Sequence, residues 1–560
     1  MENPSQQAGA GSAPASVPRD DDFVQLPRRT VVLTMAGVML AMFLASLDQT
    51  VVGTAMPRII ADLGGFDRFT WVTTAYLVAS TTIVPVVGRM TDMYGRKKFY
   101  IVGIAVFVVG SVVAGQSQTM NQLILSRGLQ GLGGGTIMAI SFVSIADLFP
   151  PEERGKFQGL MAGVFGLSSV LGPTLGGFIT DNLSWNWVFF INVPIAVPII
   201  VLFFKFFPDT RRAGSENDRQ LDYAGVASLV LAVVPLLLGL SWGGVQYEWG
   251  SVQVVGALVF GGVMTVVFVV VESRTAAPIM PLTIYRNRMV SVSLIAIFLT
   301  GFGMFGAIIF IPLFFQGVLG ASATSSGSFL TPMMMGVVFG AAISGQLLSR
   351  MGGRYRIQAL IGISIMTTGM YLIGSMDETT SFGTAVGFLI VMGFGLGTTF
   401  PVFTLAVQNS VSFSVMGIAT SATQFYRSIG GMLGLAVLGA VMANRFASRL
   451  AESITDELAQ AVPQAQLEAL QANPQALVNP EALASLRGGF EQAGPEGAVM
   501  ADQLVAVLKA ALAEAIGDVF MISVVVVASA FVATLFLQGP RKSTDEPSRV
   551  RPAPVPTDGD

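Results

Sequence analysis

The chain has 560 residues, of which 52% are hydrophobic and 12% charged, with mean hydropathy +0.67 and 31 basic against 34 acidic residues. An apolar excess running nearly end to end excludes a soluble multidomain enzyme, and the near-neutral charge gives no sign of a nucleic-acid partner. Cysteine and histidine are absent, so disulfides, a thiol nucleophile, a His-ligated metal and a histidine proton shuttle are excluded, and a proton carrier here has to be a carboxylate.

Residues 1–29, rich in Pro, Ser, Gln and Asp, read as a disordered tail. Fourteen apolar runs follow, near 31–56, 69–87, 99–118, 121–146, 157–180, 186–206, 223–243, 251–271, 289–315, 326–348, 357–376, 382–408, 417–443 and 517–538. A helix of roughly 20 apolar residues crosses the roughly 30 Å hydrocarbon core of a bilayer. The expected fold is therefore an all-α polytopic membrane protein. Its parts are a six-helix bundle over 30–207, a linker and extra hairpin over 208–288, and a second bundle over 289–443 completed by 517–538; 539–560 form another disordered tail. Residues 444–516 carry apolar residues at helical spacing in FASRLAESITDELAQAV and ADQLVAVLKAALAEAIGDVF. They read as two or three amphipathic helices outside the membrane, the last running into helix fourteen. The segment is either a solvated cap or a functional element, a lateral shield or a docking surface for an envelope partner. If both termini are cytoplasmic, 23 of the 31 Lys and Arg residues fall on the inner side, six outside and two within helices, which is the bias that inner loops show.

Asp48 is the acidic residue deep inside an apolar run, and an ionised carboxylate is costly there unless paired, protonated or facing water. At about 1.5 Å per residue, Asp48 and Arg127 sit at matching depth and can meet if helices one and four adjoin. The guanidinium favours the ionised carboxylate and burial the neutral one, which suits a group that loads and releases a proton. Arg427, the buried charge of the second half, either reaches Asp48 across a cavity or binds a polar substrate group. In GRMTDMYGRKK (88–98), Gly88 and Gly95 permit close approach and a tight turn. Asp92 can cap a helix of the facing half, and Arg96 with Asp147 completes a charge network. GQLLSRMGGRYR (345–356) echoes this string and suggests two related halves. Gly172, Pro173, Gly176 and Gly177 read as a kinked, close-packed seam in helix five. Helical spacing puts Gln130, Met138 and Ser141 on the Arg127 face, and Thr420 and Gln424 on the Arg427 face. Phe302, Phe305, Phe314, Phe315 and Met333 to Met335 are candidates for an adaptable apolar wall.

LDQTVVGTAMP (47–57), GRMTDMYGRKK, SRGLQGLGGG (126–135), GPTLGG (172–177), SWNWVFFINVP, LDYAG, FFQGVLGASATSSG and QNSVSFSVMGIATSATQFYRSIGG occur in this order. Together they resemble signatures of the major facilitator superfamily, in its fourteen-helix drug:proton antiporter branch. Thr54 and Asn186 depart from that pattern. The resemblance implies a major facilitator fold of six, two and six helices, with Asp48 and Arg127 in proton coupling. It also implies a conformational latch in the 88–98 loop and an antiport motif in helix five. The implied activity is proton-coupled export of lipophilic drugs or amphiphilic compounds across a bacterial inner membrane, by a monomer; the lack of further deep acids in the sequence makes neutral, weakly cationic or amphiphilic substrates the expectation. Export of an endogenous lipid is an alternative, and a non-transporting sensor a third class. The implied partners are substrate, protons and bilayer. No GxxxxGK[ST] loop, nucleophile-base constellation, metal site or cofactor site is read.

Overall fold

The computed structural model describes residues 26–65, 68–208, 221–320, 323–350, 354–454 and 495–537. Fourteen helices are long and apolar enough to cross a membrane. They are α1 (Arg28–Leu63), α2 (Thr70–Tyr94), α3 (Arg96–Gly115), α4 (Met120–Leu148), α5 (Pro151–Asn182) and α6 (Trp187–Phe206), then α7 (Tyr223–Trp242) and α8 (Val252–Arg274), then α9 (Arg288–Gly317), α10 (Ala323–Arg350), α11 (Tyr355–Gly374), α12 (Phe382–Gln408), α13 (Met416–Ser453) and α14 (Pro495–Leu535). Helices satisfy their own backbone groups, which is why a lipid-facing chain adopts them. Their starts are capped where the sequence offers an oxygen. The side chains of Thr119, Asp222, Ser251 and Ser381 accept from the first-turn N–H groups of α4, α7, α8 and α12. Gly95, at φ 87°, makes the one-residue break between α2 and α3 that a side chain would strain.

An even number of crossings puts both ends of the helical array on one face, here termed the chain-end face. Helix pairing repeats with an offset of eight. α2 packs on α4, α3 on α4 and α6, and α1 on α5 and α6; α10 packs on α12, α11 on α12 and α14, and α9 on α13 and α14. The α7–α8 hairpin lies outside these two groups of six, resting on α2 and α13 through α7. Trp71 donates to Gln246 (2.8 Å) and Thr74 pairs with Ser241 (2.9 Å) at that contact. α4 is 89% buried over its apolar window and α8 only 17%, so α4 is central and α8 faces lipid.

Glycines set how closely the helices approach. A Cβ on Gly176 would overlap Thr54 Oγ1, and one on Gly172 would overlap Thr50 Oγ1, so α5 lies directly on α1. Gly177 meets nothing within 4 Å and does not share that seam. Between the halves, Gly155 of α5 faces Gly345 of α10 backbone to backbone, and Gly88 of α2 faces Gly417 and Ser421 of α13.

One boundary departs from the sequence expectation, and the expected continuity of the last amphipathic segment with helix fourteen is seen. α13 continues past 443 to Ser453, and α14 starts at Pro495, ahead of the apolar run from 517, as one unbroken helix. The extensions persist because Phe446 and Leu450 share an apolar cluster with Leu508 and Leu512, while Arg445 pairs with Asp518 (3.5 Å) and Arg449 with Glu514 (3.3 Å). Residues 455–494, expected as amphipathic helices, and the expected tails over 1–25 and 538–560 lie outside the described residues.

Overpacking a close helix contact costs about 1–3 kcal/mol. Gly176→Ala is therefore expected to lower the thermal unfolding midpoint of the purified protein, and Gly177→Ala to leave it unchanged. Equal midpoints for the two variants would contradict the α1–α5 seam described above.

Candidate functional site

Asp48, on α1 and 1% exposed, is held by donors from two other helices. Arg127 Nη1 donates to Oδ2 at 2.6 Å, and Gln130 Nε2 and Asn192 Nδ2 donate to Oδ1 at 2.7 and 2.9 Å. The donors are themselves held. Arg127 reaches Gln130 Oε1 (2.7 Å) and lies over the Tyr76 ring at 4.4 Å, while Gln130 and Asn192 both donate to Ser111 Oγ at 3.1 and 2.9 Å. Five helices of the first half therefore converge on one carboxylate. Removing one partner from such a buried ion pair costs about 3–5 kcal/mol because the remaining charge is stranded.

Beside this network, at mid-depth between the halves, lies a cavity with about 970 Å³ of empty space, open solvent included. Its apolar wall is led by thioether and aromatic side chains: Met42, Met138, Met304 and Met432 with Phe142, Phe165, Phe305 and Phe400. Gln49, Ser80, Thr81, Gln424, Ser428 and Arg427 are its polar side chains. A mixed wall of this kind fits a lipophilic body with a few polar groups.

On the chain-end side of the cavity the halves are joined. Asp92 accepts from Gly417 N (2.9 Å) and Ile418 N (3.0 Å) in the first turn of α13, where a carboxylate meets unpaired N–H groups and the positive end of the helix dipole. Arg96 Nη2 lies 3.4 Å from Asp92, and its Nε is ion-paired with Asp147. Arg154 donates to Asn409 Oδ1 (2.7 Å), and Gln408 Nε2 to the Phe142 carbonyl (3.2 Å). Gly155 against Gly345 and Gly88 against Gly417 close the same level.

Comparison with known proteins agrees with this architecture. Residues 38–435 match the Major Facilitator Superfamily. The chain belongs to that superfamily. It is 38% identical over 511 residues, 91% of this chain and 93% of the relative, to "Multidrug transporter protein MdtP" of Bacillus subtilis (strain 168). It is 39% identical over 419 residues, 75% of this chain and 81% of the relative, to "Multidrug resistance protein 3" of the same organism. Among solved structures, the human organic anion transporter MFSD10 (TETRAN) superposes with TM-score 0.55 at 15% identity, covering 90% of this chain and 100% of that one; this likeness shows the fold alone.

Within the facilitator fold the expected residues separate into groups. Asp48 and Arg127 meet, and Met138, Phe305 and Gln424 line the cavity. Gln130 and Ser141 do not line it. Relative to Arg127, a 100° step per residue puts Met138 at about +20° but Gln130 and Ser141 at about −60° and −40°. The latter two lean toward α3, where Gln130 bonds Ser111 and Ser141 bonds Tyr100 (2.5 Å). Thr420 sits one turn into α13, at the joined level, and takes a bond from Gln408 (3.3 Å). Phe302, Phe314, Phe315, Met333 and Met334 pack into the core of the second half, and Met335 is exposed outside it. Arg427 forms no ion pair with Asp48, whose oxygens are taken up by first-half donors; it lies 3.8 Å over the Phe400 ring. Asn192, Ser111 and Tyr76 went unassigned. Asn192 does stand in the SWNWVFFINVP string, where an amide within an apolar run is the available signal.

Asn at position 92 keeps the side-chain shape and removes the charge from two N–H groups, a loss of about 1–3 kcal/mol. The chain lacks cysteine, so Ser421→Cys, buried behind Gly88, reports on this contact without background. Asp92→Asn in that background is expected to speed maleimide labelling at 421; an unchanged rate would mean that Asp92 does not hold the halves together.

Proposed function

We propose that the protein is a proton-coupled secondary exporter of lipophilic or amphiphilic compounds, working by alternating access in the cytoplasmic membrane of a bacterium. The observation that carries this reading is the conjunction of a multidrug-transporter relative matched over 91% of the chain with one fully buried, multiply bonded carboxylate, Asp48, beside an apolar central cavity. Substrate occupies the cavity, with Met138, Phe305 and Gln424 on its path. Protonation of Asp48 removes the charge that holds Arg127, so α1 and α4 are freed from one another and the halves rearrange. Deprotonation restores the pair. Gly172 and Gly176 fit the motion because they keep α5 on α1, two residues from Asp48 at Thr50. Gly88, Asp92, Gly95, Arg96 and Asp147 act as the latch that closes the cytoplasmic face in the state described above. By the order of the apolar runs, 23 of the 31 basic residues fall in inner segments if the termini are cytoplasmic, and this bias supports that orientation. The segment between α13 and α14 then lies outside the cell membrane and serves either as a cap or as a contact for an envelope component.

The test is dye or drug export in proteoliposomes under an imposed pH gradient. Wild type is expected to export and Asp48→Asn, which keeps the side-chain size but cannot take up and release a proton, to fall to the level of empty liposomes. Gradient-driven export that persists in Asp48→Asn would remove that residue from coupling. No wild-type transport of any drug, with transport of a labelled lipid, would move the substrate to the lipid class.

A further inference from the structure

The buried cations of the molecule are treated unequally. Arg127 is matched by Asp48, Arg96 by Asp92 and Asp147, and Arg154 by Asn409 and the carbonyls of Phe149 and Ala146. Arg427 is 5% exposed and lines the central cavity, yet among the described residues no carboxylate lies within ion-pair distance and its Nε has no hydrogen-bond partner. Phe400 covers one face of the guanidinium at 3.8 Å, which leaves the in-plane N–H donors without a counter-charge. None of the residues lining the cavity is acidic, and Asp48 is turned away into its own network. The neighbouring polar groups, Gln424 and Ser428, are neutral. A buried guanidinium on the wall of a largely apolar cavity is matched in charge by a carboxylate, which can accept two parallel N–H bonds from it.

We infer that Arg427 is an anion-binding subsite of the central cavity, and that the preferred substrates are lipophilic monocarboxylates whose head is held by Arg427 and whose body lies against the Met and Phe wall. This inference rests on the export reading for its biological sense and reverses the neutral or weakly cationic preference that the sequence suggests. The carboxylate bonds the edge of the guanidinium while Phe400 holds its plane, so an ammonium head in the same position is repelled and a neutral amide forfeits the charge-assisted part of the interaction.

The test is equilibrium binding to the purified full-length protein in detergent, which needs no transport. The probe is 11-(dansylamino)undecanoic acid, compared with its primary amide. Wild type is expected to bind the acid about tenfold more tightly than the amide. Arg427→Met is expected to abolish that ratio while leaving amide affinity in place, and Arg427→Lys, which keeps the charge but not the planar fork, to retain part of it. Equal affinity of acid and amide in wild type, absence of saturable acid binding, or a ratio that survives Arg427→Met overturns the subsite. The wild-type ratio and the Lys variant decide the matter if the Met variant does not fold. Displacement of the bound acid by hexadecanoate but not by 2-naphthoate assigns a lipid acid, and the reverse assigns an aromatic one; displacement by neither overturns the proposal. Lack of proton-driven export alongside a preserved acid preference would instead count against the export reading.

Discussion

A charge inside a bilayer is tolerated only where something answers it, and this constraint organises the molecule. Asp48 draws Arg127, Gln130 and Asn192 onto one point, and through Ser111 and Tyr76 it fixes the relative positions of α1, α2, α3, α4 and α6. Hydrophobic burial gives little preference among helix arrangements when lipid is as apolar as the core. The polar cluster supplies the specificity that packing lacks. Its members are spread over the first half, so a change of charge at one carboxylate is felt by most of that half at once.

The second organising element is close backbone approach. The halves meet twice at equivalent places: Gly88 of α2 lies on Gly417 of α13, and Gly345 of α10 lies on Gly155 of α5. Helix pairing repeats at an offset of eight, and these two contacts are related by that same offset. Glycine-to-glycine contact is firm when formed and leaves no interdigitated side chains to unthread when it parts. A joint of that kind suits two bodies that separate and re-form.

The helices were legible in the sequence because apolar runs of bilayer length admit few readings. The meeting of Asp48 with Arg127 was legible too, since rise per residue fixes depth and the run offered one acid and one cation at the same level. Faces were less legible than depths. Gln130, Met138 and Ser141 fall within about 80° of one another on α4, and that arc straddles the border between α3 and the cavity. Thr420 shares the Arg427 face but lies seven residues nearer the helix start, below the cavity, and a cavity's floor leaves no mark in a uniformly apolar helix. The helix end at 453 was hidden for the opposite reason: the amphipathic turns that continue α13 resemble a separate surface helix until their partner is seen, whereas the run of the last amphipathic segment into α14 was legible. Asn192 shows the limit of reading charges alone, since a neutral amide is the third ligand of the Asp48 carboxylate.

The two glycine joints are alike in shape but not in electrical character. α5 opens with Glu152 and Glu153 in its first turn, so its positive end is neutralised by its own sequence. α13 has no acidic residue in its first turn and relies on Asp92 from the other half. Where α10 corresponds to that position of α2, it carries Ser349, an uncharged side chain lying against Gly155. Separation at this level would cost α13 the carboxylate on its first-turn N–H groups, and would cost α5 the bond from Arg154 to Asn409 but no carboxylate from the other half. The two seams of the pseudo-symmetric molecule are thus built differently: one is held by a carboxylate on the start of α13, the helix that carries Arg427, and the other by the neutral-amide bond of Arg154 to Asn409.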